Sequence, residues 1–378
     1  MQQSNLTESP GLYVHVPFCK TKCPYCDFYS VTSRSAVNEW LSAVQKEALL
    51  YAKQFADFNT LYLGGGTPTS LSDLELTLLI ESLRKHFSFS RDTEVTLEAN
   101  PDDITHQRLA YFHDLGINRI SLGLQSLHDN ELKYLGRRNN AKQNQRALQY
   151  VRSIPSLNLA VDLIYAFQGQ TRTSWLKTLE TVLEFHPEHL SCYQLTLEEN
   201  TPFGRMEREG QIRPLSEDEQ SDFFLTTSEF LEASGYIHYE ISNFARSPEH
   251  LSRHNTKYWR HIPYLGLGPG AHSFQAGIRW WNLKSVELYC QALAGGQTPM
   301  AGSESLSQEQ LTLESLYLGL RTKDGISAGI LDGSHQVKHT LGQLQAAGLV
   351  ELTNGKVMPT LKGFLVADSL PLMLLDLD

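Results

Sequence analysis

The sequence predicts an α/β protein built around a parallel sheet, and three observations carry that expectation. Short apolar runs of β type alternate with longer helical stretches over the first two-thirds of the 378 residues. Strands separated by helices need crossover connections and so pair in parallel. Glycines and polar residues gather at the carboxyl ends of the strand-like runs, where parallel α/β folds collect ligand groups. From about residue 240 the alternation stops and a different organisation begins.

The strand-like runs are Leu12–Val16, Thr60–Leu63, Glu94–Glu98, Arg119–Gly123, Leu159–Ile164 and Leu190–Leu195. Helical patterns lie between them near 36–56, 71–86, 105–115, 128–152 and 172–185. Ser70 and Ser72 open the second helix and Thr105 the third, since a hydroxyl satisfies an orphan amide of the first turn. Pro155 and Pro187 fall in loops, where a missing donor does no harm. Six such units suggest an incomplete barrel or an open doubly wound sheet. In either case one mouth collects Gly64-Gly-Gly-Thr67 after the second run, Glu98 at the end of the third and Gln125 after the fourth. Asp162 in the fifth and Thr196 closing the sixth join them.

Residues 1–10 read as a polar tail and 11–235 as the main domain. Residues 236–304 read as a connecting segment rich in His, aromatics and Gly, and 305–378 as a small module. That module has helical patterns over Gln308–Leu320 and Gln336–Ala347, then an alternating run from Val350 to Met358 broken by Asn354-Gly355, a strong hairpin signal. Helix, helix, hairpin and helix resemble a winged helix. Without a basic recognition helix, DNA binding is not expected of it.

A net charge of −10 argues against a general nucleic-acid binder, which needs a basic stripe to displace counterions. The 41% hydrophobic and 20% charged fractions are those of an ordinary globular protein. Nothing in the sequence resembles a secretory signal, and no run approaches the length of a membrane-spanning helix. Clustered free cysteines then point to the reducing cytoplasm.

The chemistry begins with Cys19-Lys-Thr-Lys-Cys23-Pro-Tyr-Cys26 in the loop after the first run. Three thiolates at this spacing suit three irons of a [4Fe–4S] cube, leaving the fourth iron open to a small molecule. Structural zinc is the competing reading, but it wants four ligands and only His15 lies close by. Cys192 and Cys290 are isolated, and five cysteines make an odd, ill-spaced disulfide framework.

This Cx3Cx2C spacing after a first strand, followed by Gly64-Gly-Gly-Thr-Pro68 after the second, is similar to the radical S-adenosylmethionine (SAM) superfamily. The resemblance implies a partial (β/α)6 radical-SAM barrel over 11–235 with a C-terminal α+β, winged-helix-like module. It also implies that Cys19, Cys23 and Cys26 hold the cluster and that the open iron chelates SAM. One electron from a donor then releases a 5′-deoxyadenosyl radical. Tyr25 is expected to lie against the adenine, or else to fill core. Gly65 and Gly66 let backbone approach the methionine end, because no Cβ intervenes.

Further segments narrow the likeness: Leu12-Tyr-Val-His-Val-Pro-Phe-Cys19, Glu98-Ala-Asn-Pro101, Gly123-Leu-Gln-Ser126 and Asp162-Leu-Ile-Tyr165 resemble the oxygen-independent coproporphyrinogen III oxidase group. Carried over by position, Tyr13, Gly65 and Glu98 contact the cluster-bound SAM. Gly66, Thr67, Gln125, Arg137 and Asp162 match positions that frame a second SAM. Two departures point elsewhere. Phe28 stands where the oxidases have a further cysteine, and the motif begins by residue 19 without their longer extension. Both resemble the radical-SAM haem chaperone branch (HemW-type), as do Gly319-Leu-Arg-Thr322 and Gly348-Leu-Val350.

His254-Asn-Thr-Lys-Tyr-Trp259 matches the HNxxYW signature that in this branch is tied to haem. A neutral imidazole can ligate haem iron and flat aromatics can cover a porphyrin. Arg253, Lys257 or Arg260 can pair with propionates, and His250, His261 and His272 compete with His254 as ligand. The segment Tyr165-Ala-Phe-Gln-Gly-Gln170 departs from the family, which has Gly-Leu-Pro before Gly-Gln. The bulkier Ala166 and Phe167 argue against a second SAM.

The resemblance thus implies a cytoplasmic haem chaperone, at most peripheral at a membrane, carrying a [4Fe–4S] cluster and SAM and delivering haem to acceptor proteins. The alternative is an enzyme, a coproporphyrinogen III dehydrogenase-like oxidoreductase of porphyrin biosynthesis that turns propionates into vinyl groups. A tRNA-modifying radical-SAM enzyme is a third class, disfavoured by the acidic charge.

Overall fold

The computed structural model describes residues 8–331 and 333–375; residues 1–7 of the expected tail lie outside the described residues. All six expected strands are present: β1 (Gly11–Val16), β2 (Asp57–Gly65), β3 (Ser88–Ala99), β4 (Arg119–Gln125), β5 (Asn158–Tyr165) and β6 (His189–Gln194). Between them run α1 (Val37–Tyr51), α2 (Asp73–His86), α3 (His106–Asp114), α4 (Asp129–Tyr134), α5 (Ala141–Arg152) and α6 (Arg172–Leu183). The chain forms two compact units. The first holds residues up to Val161, Glu198–Arg205 and Ile262–Ser305; the second holds Asp162–Leu197, Met206–His261 and the residues from Leu306 on.

In the first unit β1, β2, β3 and β4 pair in sequence order, all parallel. Leu12, Val14 and Val16 of β1, which share one face, are fully buried, as the core side of a strand requires. On the outer side Trp40 of α1 packs edge-on against Phe18, with ring centroids 5.5 Å apart. Such a pair adds about 0.5–1.5 kcal/mol beyond the area it buries.

Two helix boundaries differ from expectation, each for a local reason. Ser72 caps α2 in a reciprocal capping box with Glu75, which contributes about 1 kcal/mol. Ser70 belongs instead to a 3-10 turn, Pro68–Ser70, and donates its hydroxyl to the Phe18 carbonyl at 3.1 Å. The pattern over 128–152 is not one helix. The chain leaves α4 through Gly136 at φ 64° and restarts α5 with a capping box at Asn140. A left-handed residue cannot continue a helix, and the break frees Arg137 from helical geometry.

Further along lie α7 (Pro202–Arg208), α8 (Glu217–Ala233), β7 (Ile237–Glu240), β8 (Asn243–Ala245) and α9 (Arg253–Trp259). β9 (Tyr264–Leu267), β10 (His272–Gln275), β11 (Ile278–Asn282), α10 (Val286–Ala294) and β12 (Met300–Ser305) follow. The segment 236–304, expected as a connector, therefore supplies strands. β9 joins the free side of β1 in parallel, and β10, β11 and β12 extend the sheet antiparallel. These strands are four to six residues long, too short for a periodic signal in a sequence broken by glycine.

In the second unit β6, β8 and β7 form an antiparallel ladder. Its C-terminal part comprises α11 (Gln308–Gly319), β13 (Ile326–Ser327), α12 (His335–Ala346), β14 (Val350–Thr353), β15 (Lys356–Pro359), α13 (Leu361–Leu365) and α14 (Leu370–Leu374). Leu316, Leu320, Ile326, Leu344, Val350, Val357, Leu370 and Leu374 give it its own core. Asn354 and Gly355 turn the β14–β15 hairpin with φ 52° and 73°, the pair of positive values a type I′ turn demands. No helix among the described residues is long and apolar enough to cross a membrane.

Candidate functional site

The cysteine loop leaves the end of β1 and is tied back at its base. Val31 donates its amide to the Pro17 carbonyl at 2.7 Å and Cys19 donates to Val31 at 2.9 Å, while Cys26 donates to Cys23 at 3.1 Å. Thr67 Oγ1 donates to Cys19 Sγ at 3.3 Å and Arg137 Nη1 to Cys23 Sγ at 3.5 Å. Burial, reinforced by the other cysteines, raises the Cys19 and Cys26 thiols; a bound cation overrides that by displacing the protons.

Among the described residues, no three His, Cys, Asp or Glu side chains converge on one point as a single metal ion needs. A cube does not ask for convergence, because each thiolate takes a different iron. His15 is not a spare fourth ligand either. Its Nε2 faces the Tyr29 carbonyl at 2.8 Å, so that nitrogen carries the proton, and its Nδ1 accepts from Tyr13 OH at 3.0 Å. Burial lowers His15 to about 4, which keeps it neutral in that tautomer. Three cysteines whose sulfurs receive two side-chain donors fit a cluster that leaves one iron open.

Beside the loop, one face of the sheet carries Tyr13, Tyr62 and Glu98. Tyr62 OH donates to Glu98 Oε1 at 2.8 Å and the Gly65 amide to Glu98 Oε2 at 3.1 Å. Gly65 lies at φ 102°, and a Cβ there would collide with the His15 ring; on Gly66 it would stand 2.6 Å from the Val16 carbonyl. These glycines therefore admit the chain's own neighbours as well as leaving backbone open to a ligand. Tyr62 was missed in the sequence, although its place two residues before Gly64 puts it on the same face.

Arg137 sits at the break between α4 and α5, where its Nη2 donates to the Gly123 carbonyl at 2.8 Å and to Asn100 Oδ1. Its Nε is buried without a partner. Burial opposes its charge, yet Tyr25 and Cys23 beside it outweigh that and raise its pKa. In this chain Arg137 and Thr67 thus address the cysteine sulfurs. Gln125, at the end of β4, holds φ 68°, and a Cβ on Gly123 would stand 3.0 Å from its Nε2. Tyr25 leans on Phe203, with centroids 6.4 Å apart, and Phe203 on Tyr134 at 5.3 Å. Burial raises the Tyr25 hydroxyl above its usual range.

A family model for the radical SAM superfamily matches residues 13–182. A Synechocystis protein named heme chaperone HemW is 34% identical over 86% of this chain and 81% of its own length. A Mycobacterium tuberculosis protein of the same name is 32% identical over 95% and 93%. The chain belongs to the HemW family of radical SAM proteins. The solved structure of coproporphyrinogen III oxidase (HemN) from Escherichia coli, a radical SAM enzyme, superposes with a TM-score of 0.82 at 24% identity, over 98% of this chain and 91% of that one. This likeness establishes the radical-SAM fold.

Of the remaining residues read from the resemblance, all but His272 lie in the second unit. Asp162 is on β5, where its charge adds to burial in raising the Cys192 thiol. Ala166 holds φ 61°, a left-handed value that favours glycine, with its amide bonded to Gln170 Oε1 at 2.8 Å; Phe167 is buried. His254 is on α9, 1% exposed, with Nε2 at 2.9 Å from Tyr258 OH. Burial and Lys257 depress it to about 3. Lys257 is buried as well, and Arg260 is paired with Asp324 at 2.7 Å. His250 Nδ1 meets Ser247 Oγ at 2.6 Å, and His261 meets Glu314 at 3.2 Å and Ser315 at 3.4 Å. His272 lies in the first unit, on β10.

Proposed function

We propose that this protein is a cytoplasmic haem chaperone that binds haem and passes it to acceptor proteins, with a [4Fe–4S] cluster and SAM in its barrel. The observation that carries this is the similarity, over most of both chains, to proteins named heme chaperone HemW. Phe28 supports it: it takes the place of the oxidases' extra cysteine and is 68% exposed.

Cys19, Cys23 and Cys26 would hold the cluster, and Tyr13, Gly65 and Glu98 the SAM on its open iron. The cluster and SAM supply reductive cleavage chemistry when an external donor provides an electron. Thr67 and Arg137 place hydrogen bonds on two of the sulfurs and would so tune a bound cluster. Glu98 has both carboxylate oxygens engaged by Tyr62 and Gly65, which fixes that wall in advance of binding. Gly66, Gln125 and Asp162 remain assigned by resemblance alone.

The test is anaerobic reconstitution followed by haemin titration. A cluster spectrum with about four irons per chain, then a saturable Soret change, is the expected result. Absence of a saturable Soret change refutes the chaperone reading. Vinyl product from coproporphyrinogen with SAM and reductant would establish the oxidase instead.

A further inference from the structure

Taking haem as the cargo, as proposed above, we infer that its iron is ligated by His272, on an aromatic and cationic face of the β9–β12 extension, and not by His254 of the HNxxYW segment. Four histidines competed for this role, and their surroundings separate them. His254 is enclosed and its Nε2 is taken by Tyr258. His261 has both ring nitrogens engaged, and His250 has one. His272 is exposed, and among the described residues neither of its ring nitrogens has a hydrogen-bond partner.

The surface around His272 is built for something flat. His272 on β10 stands opposite Trp281 on β11, which stands opposite Gly302 on β12. The imidazole and indole are stacked at 26° with centroids 5.9 Å apart. A Cβ on Gly302 would lie 2.6 Å from the indole, so the glycine lets the ring lie flat on the edge strand. An aromatic laid over a strand glycine also steadies a sheet. That role accounts for Trp281 but leaves the open imidazole without a task.

Strand register extends the same face inward. Phe274, two residues from His272, pairs with Tyr264, which pairs with Gly11, and Gly266 pairs with Tyr13. Side chains two apart or directly opposite share a face. The face that carries Tyr13 beside the cysteine loop therefore continues to His272 and Trp281 within the first unit.

Charge complements a ring bearing carboxylates. Arg279 stands on this face, paired with Glu304 at 2.7 Å. Lys284 is exposed and has no hydrogen bond or ion pair among the described residues. Partial burial, Arg279 and Lys284 together depress His272, so its imidazole is the neutral form that iron binds. Lys284 also bears electrostatically on His15, on the same face beside Tyr13. Arg279 and Lys284 would take the propionates.

The test is haemin titration of the full-length protein and of His272→Ala, Trp281→Ala, Lys284→Glu and His254→Ala, read by Soret position and by the spin state of ferric haem in electron paramagnetic resonance. His272→Ala should weaken binding at least about tenfold, lose the wild-type spin state and regain it on adding free imidazole. Trp281→Ala and Lys284→Glu should weaken binding without changing that signature. Folded His254→Ala, checked by circular dichroism, should keep it; if that variant does not fold, His254→Gln takes its place. A wild-type spectrum in His272→Ala, or no rescue by imidazole, overturns the assignment while leaving haem binding intact. Failure of wild type to bind haem overturns both.

Discussion

Replacing Glu47 by glutamine should change how the stability of this protein depends on pH. Glu47, on α1, is fully buried and accepts three hydrogen bonds: from the Gly268 amide at 2.9 Å, Asn282 Nδ2 at 2.6 Å and Tyr289 OH at 2.5 Å. Burial outweighs those donors and raises the carboxyl from 4.5 to about 7. Because the folded value lies above the unfolded one, the stabilisation is fully present below pH 4.5 and is lost as pH rises towards 7. The gap of about 2.5 units corresponds to about 3.4 kcal/mol in all, of which about 2.5 kcal/mol falls between pH 5 and pH 8.

Glutamine cannot titrate, and it offers one oxygen to three donors. At pH 5 Glu47→Gln should therefore be less stable than wild type by about 1 kcal/mol, and by pH 8 the order should reverse. Urea unfolding of both proteins at the two pH values, with the slopes compared, measures this. A difference independent of pH would refute the reasoning. The site is affected because Gly268, held by Glu47, abuts the His15 carbonyl: a Cβ on Gly268 would lie 2.6 Å from that oxygen.

Three further outcomes follow from the same geometry. Arg137→Ala removes the donor and the charge beside Cys23 Sγ, so the reconstituted cluster should become harder to reduce. An unchanged midpoint in a redox titration contradicts the role given to Arg137. Gly65→Ala combines a positive φ with a collision against His15 and should cost about 3 kcal/mol or more, read as a fall in Tm and in iron content; near wild-type values would show that the β2 turn yields. Ala166 sits in left-handed space at φ 61°, so Ala166→Gly should stabilise by at most about 1 kcal/mol and Ala166→Val should destabilise by about 2 kcal/mol. Thermal melts check the pair, and a stabilised valine variant would be incompatible with that backbone.

The sequence by itself determined the six βα units, the place of Cys19, Cys23 and Cys26 after the first strand, and the glycine turn after the second. These were legible because they are local: hydrophobic period, capping hydroxyls and ligand spacing are written within a few residues of one another. Helix α8 and strands β7 to β12 were not legible in that way. The strands are short and acquire their character from pairing, as β9 does on β1 and β12 on β11.

Only the tertiary structure decided which side chains serve which neighbours. It directed Thr67 and Arg137 to cysteine sulfurs, tied both nitrogens of His15 to Tyr13 and Tyr29, and enclosed His254 while leaving His272 open. Hydrogen-bond partners and burial arise between elements far apart in sequence, so spacing along the chain cannot encode them. Cys23 and Arg137 stand 114 positions apart and meet because Gly136 ends a helix where periodicity alone would have continued it.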